Sequence, residues 1–129
     1  MFVDTVIITG KCFELFNPVL EMFDELIRDH LEVYYRHTIT SANDSGHSHN
    51  STHYKNKAVD IRINDIDTKL EHNKKMLESC VCSLGYLFKD FVFILHLYDG
   101  KNHLHIQHGG DNIISFDNAI GENVNVFIK

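Results

Sequence analysis

The chain has no tryptophan, one proline, three cysteines and seven glycines in 129 residues. One proline and no Ser/Gly-rich run leave no place for a linker, and this length suits a single domain, read as residues 1–129. An odd cysteine count, with Cys80 and Cys82 two apart in a helical pattern, excludes a disulfide framework. Two helical residues so spaced face different ways and do not grip one metal together, so both are read as core or half-buried thiols. Long hydrophobic runs are also missing; Phe91–Leu95 is far too short to span a bilayer, so no membrane partner is expected. The opening MFVDTVIITG carries no basic region before its apolar residues, and synthesis in a cytosol is the expectation. Positive charge is scarce, 12 basic against 18 acidic residues, for a net charge of -6. That excludes a broad electrostatic grip on nucleic acid.

What the chain has in excess is histidine. It carries ten, and six crowd into two short windows: His47, His49 and His53 in one, His103, His105 and His108 in the other. The other four, His30, His37, His72 and His96, read as structural.

The periodicity predicts the scaffold around those windows. Asn17-Pro18 reads as a helix start, with Val19, Leu20, Phe23, Leu26, Ile27 and Leu31 forming an apolar stripe over about 17–30. Glu21, Asp24, Glu25 and Arg28 form its solvated face. Residues 31–41 are β-branched and aromatic and should contain a strand. Residues 42–56 turn to Asn, Asp, Ser, Gly and His, a long loop of the kind usually kept for function. KAVDIRI (57–63) then alternates, so Asp60 and Arg62 project away from the core. A second helix follows, capped by Asp65 or Asp67, striped by Ile66, Leu70, Leu77, Val81 and Leu84, and closed at Gly85. Phe91–Tyr98 and His103–His108 read as a hairpin about Asp99-Gly100. NIISF and NVNVFIK can add edge strands. The expected class is α+β, a small antiparallel sheet packed against two main helices.

Ser51-x-His53, Ala58-x-Asp60 and His103-x-His105 bring imidazoles and a carboxylate within reach of one another. Catalytic zinc sites use three such protein ligands and leave a fourth position for water. In order and spacing these residues resemble the signature of the zinc D-Ala-D-Ala carboxypeptidase superfamily, to which the zinc domain of Hedgehog signalling proteins is also similar. The match covers residues 39–63 and 91–107, and the style is closest to small phage peptidases. The resemblance implies the fold of that superfamily, and one Zn2+ held by His53, Asp60 and His105. It implies hydrolysis of peptidoglycan peptide bonds, with Asp99, six before His105, as general base to the attacking water. His103 or His47, the latter matching a Hedgehog-branch histidine, would donate a hydrogen bond to the developing oxyanion. Reaching the wall would require release by lysis or carriage in a virion. The chain departs from the pattern at Asn56, where the family has glycine. It also has Asn102 where the wall enzymes have an acid three before the last histidine. The wall enzymes' substrate-binding arginine has no counterpart in residues 42–46. The alternative is a non-catalytic zinc module of the Hedgehog type, used for structure or partner binding.

Overall fold

A computed structural model describes residues 10–41, 58–63, 65–97, 102–109 and 125–129, with side chains from Glu14 onward. The described elements run α1 (Gly10–Leu31), β1 (Thr38–Ser41), β2 (Ala58–Arg62), α2 (Glu71–Leu87), β3 (Phe91–His96), β4 (His103–His108) and β5 (Val126–Ile128). The class is α+β: two helices on a five-stranded sheet of order β1-β2-β4-β3-β5.

The sheet is mixed, which corrects the expected all-antiparallel arrangement. β1, β2, β4 and β3 pair antiparallel, but β5 lies parallel to β3. β5 runs opposite to β4, the strand it follows, yet lands on the far side of β3. Since β3 also opposes β4, β3 and β5 share a direction. The NVNVFIK segment thus supplies an edge strand as expected, whereas NIISF lies outside the described residues.

Helix α1 overrides its strongest local signal. Asn17-Pro18 was the expected start, but the helix begins at Gly10 and Pro18 sits inside it. An interior proline removes one backbone hydrogen bond and costs about 3 kcal/mol in an isolated helix. Burial on both sides of Pro18 opposes that cost. Phe16, Val19, Leu20, Phe23 and Ile27 are all essentially inaccessible, and Phe16 meets Phe91 edge-on at 5.5 Å. Asp24, expected on the solvated face, is buried. Its carboxylate accepts from the His37 backbone N–H at 2.8 Å and contacts His37 Nδ1 at 2.7 Å, tying α1 to the start of β1. The helix closes at Glu32, whose φ of 57° is left-handed and whose N–H donates to the Arg28 carbonyl at 2.8 Å. A side chain at such a position carries strain that glycine lacks. Glu32→Gly is expected to leave stability unchanged or raise it by up to about 1 kcal/mol, measured by urea unfolding.

Helix α2 begins later and ends later than expected. Asp67 Oδ1 accepts from the Lys69 N–H, making a turn ahead of the helix, and the residue at the helix start is Leu70, without a side-chain cap. Leu70 is 46% exposed and off the stripe, which Leu77, Cys80, Val81 and Leu84 form at helical spacing. Gly85 does not close the helix; it is buried within the last turns, and the cap is Phe88. One side chain makes this possible. Asn125 Nδ2 donates to the carbonyls of Gly85, Phe88 and Phe91 at 3.1, 3.4 and 2.9 Å. Cys80 is buried beside His30 and Met76 as a structural thiol, and burial, with Asp29 adding, pushes its pKa up to about 12.

The helices cover one face of the sheet. Val59, Ile61, Leu104, Ile106, Phe93, Leu95 and Val126 point into that layer with no exposure. The alternate residues of the same strands form the opposite face, and there the histidines gather.

Candidate functional site

Period-two alternation puts Asp60 and Arg62 of β2 on that second face, with His103, His105 and Gln107 of β4 and His96 of β3. The register decides who meets whom. Asp60 stands directly opposite His105, Arg62 opposite His103, and His103 opposite His96. The face is not bare: Ala58, Ile94 and Gln107 on it are buried. At the edge, β1 slips register between Ile39 and Ser41 so that Ser41 pairs with Asp60, an irregularity typical beside functional sites.

His105 Nδ1 lies 2.8 Å from Asp60 Oδ1, and both side chains are mostly shielded, at 16% and 21% exposure. On the other edge of the ring, Nε2 lies 2.8 Å from Gln107 Oε1. Burial opposes a positive charge on His105. The hydrogen bond and charge of Asp60, with the bond to Gln107, outweigh it and raise the pKa above the ordinary value. A second imidazole pair adjoins this one. His96 and His103 stack with centroids 4.4 Å apart and planes 17° from parallel. His96 is pushed down to about 4, by burial first and then by the neighbouring His103 and His105, against the pull of Asp60.

Three of the six expected site residues are therefore placed, Asp60, His103 and His105, all on one face, with two of the three expected ligands, Asp60 and His105, in contact. His47, His53 and Asp99 lie outside the described residues. Among the described residues no group of three His, Cys, Asp or Glu side chains is arranged to hold a metal. Two donors of a zinc set do converge, and their chemistry fits: one carboxylate oxygen and one imidazole nitrogen, partly shielded from water. Two ligands on tetrahedral zinc stand roughly 3.3 Å apart, given bonds of about 2.0–2.1 Å. The 2.8 Å pair needs to open by only about half an ångström to admit the ion.

Asn102 is engaged elsewhere. Its Nδ2 donates to Thr68 Oγ1 at 2.8 Å, and its carbonyl accepts from the Ile63 N–H, bracing the turn ahead of α2. His108, two strand positions beyond Ile106, turns to the helix side, where its ring meets Phe91 at 5.0 Å. Sequence reasoning passed over Gln107 and read His96 as merely structural. The signal for Gln107 was present, since HLHIQH alternates and sets Gln107 on the face of His103 and His105.

Compared with known proteins, the chain matches no family model, no curated protein and no solved structure.

Proposed function

We propose that the chain is a zinc peptidase of the D-Ala-D-Ala carboxypeptidase and Hedgehog type, cleaving peptide bonds of peptidoglycan. The observation that carries this reading is the cross-strand contact of Asp60 with His105. The residues that the motif pairs as ligands come from separate segments, and they meet at 2.8 Å on a shielded sheet face.

His53, Asp60 and His105 would hold the metal. A bound zinc ion supplies Lewis acidity to the scissile carbonyl and acidity to water. Asp99 receives the proton of the attacking water and returns it to the leaving amine. His103 or His47 donates a hydrogen bond to the oxygen on which charge develops. His96, stacked on His103, restricts that ring to one plane. No helix among the described residues is long and apolar enough to cross a membrane.

The second reading is a zinc module without catalysis. It is favoured by Asn102, which stands where the wall enzymes place an acid and is committed to Thr68. Zinc-loaded protein incubated with peptidoglycan fragments separates the two readings. Release of D-alanine or of cross-bridge peptides is expected, with Asp99→Ala lowering kcat by about 100-fold or more while zinc is retained. One zinc per chain with no product would leave the binding module. A chain that takes up no zinc would remove both.

A further inference from the structure

We propose that Gln107, itself anchored on the Gly109 carbonyl, is the residue that orients His105 for metal binding and assigns Nδ1 as its ligating atom. This rests on the zinc reading above, and it starts from an amide whose orientation can be deduced. Gln107 Nε2 lies 3.1 Å from the Gly109 carbonyl oxygen. A carbonyl only accepts, so the atom facing it must be the amide nitrogen. The amide oxygen is then the atom facing His105 Nε2, at 2.8 Å. That oxygen also only accepts, so Nε2 carries a hydrogen. Nδ1 here shares its hydrogen with the Asp60 carboxylate. A neutral, ligating imidazole has one N–H, so with Nε2–H held by Gln107 it is the Nδ1 proton that a metal would displace. Nδ1 is the atom beside Asp60 Oδ1, the other expected ligand on this face.

The support continues one step further out. Gly109 has φ +84°, a left-handed conformation, and its N–H donates to the Asp90 carbonyl at 2.9 Å. Its carbonyl is thereby aimed at Gln107 by backbone geometry. Gln107 is 3% exposed, so water does not compete well for either of its bonds. Glutamine fits a double requirement: it accepts from the imidazole and donates to the carbonyl. Leucine does neither, and glutamate would set its charge against the Gly109 oxygen. Ligating histidines commonly have their other ring N–H held in this way, which fixes tautomer and ring plane.

The test reads zinc affinity, by competition with a chromophoric chelator, and the His105 tautomer, by long-range 15N–1H correlation in the zinc-loaded chain. Wild type is expected to show Nε2–H with zinc on Nδ1. Gln107→Leu is expected to weaken zinc by about 10–100-fold. Gly109→Ala provides a second route. A Cβ there meets no atom within 4 Å, so the change acts through the backbone alone. It should weaken zinc several-fold in wild type and have little further effect in Gln107→Leu. A zinc affinity within twofold of wild type in folded Gln107→Leu, or zinc on Nε2 of His105, would overturn the proposal and leave the zinc reading standing. A wild-type chain that takes up no zinc would overturn the zinc reading, and this proposal with it.

Discussion

Asp24→Ala is expected to destabilise the protein by about 2–4 kcal/mol, an unusually large loss for a carboxylate on a helix. Asp24 is 1% exposed, and both its oxygens are used, one by the His37 backbone N–H and one by the His37 ring. Truncation leaves those two partners part-buried and unpaired, and it unties α1 from β1. Asp24→Asn keeps an acceptor for the backbone N–H, so it should lose less, about 1–2 kcal/mol. Urea unfolding with unchanged m-values checks both figures. An alanine variant within about 0.5 kcal/mol of wild type, the range of ordinary surface substitutions, would show that the pair contributes nothing to stability.

Asn125→Ala should cost about 2–3 kcal/mol, because one amide serves three backbone carbonyls that otherwise lack this partner. Gly85 and Phe88 lie at the end of α2, Phe91 at the start of β3, and Asn125 itself leads into β5. The Asn125 carbonyl also accepts from the Phe93 N–H at 2.9 Å, so its backbone already belongs to the sheet. Loss of the side chain should therefore loosen the α2–β3 turn while the β3–β5 pairing survives. Amide hydrogen exchange localises the effect: faster exchange at Phe88 and Phe91, with Phe93 still protected. Uniform loss of protection would instead mean that Asn125 holds β5 to the sheet. Asn125→Asp keeps the size but removes the donor, and should fall close to the alanine variant.

Where expectation and structure part, the cause is a contact between distant residues. Asn17-Pro18 is a good local helix start, and Gly85 a good local stop. Phe16 against Phe91 carries α1 past the first, and Asn125 carries α2 past the second. No reading confined to a helical window can weigh a partner some 40 or 75 positions away. Asp24 was misplaced for the same reason, since its periodicity marks the flank of the apolar stripe and its partner lies across the turn to β1. Leu70 erred in the opposite direction, fitting the α2 stripe by spacing but lying outside the helix.

The histidine face was far more legible. KAVDIRI and HLHIQH each alternate, and a strand's side-chain period of two is a property of the backbone, independent of context. Asp60 was therefore expected on one side of its strand, and His103 with His105 on one side of theirs, whatever those strands paired with. That Asp60 stands opposite His105, rather than one residue pair along, depends on register. Register follows from which apolar side chains of β2, β4 and β3 pack together under the helices. The anchoring of Gln107 needs one further fact, the left-handed Gly109 that aims its carbonyl back at the amide. Local chemistry named the residues and their side of the sheet; long-range packing chose their neighbours, because pairing energy is gained only between segments far apart in the chain.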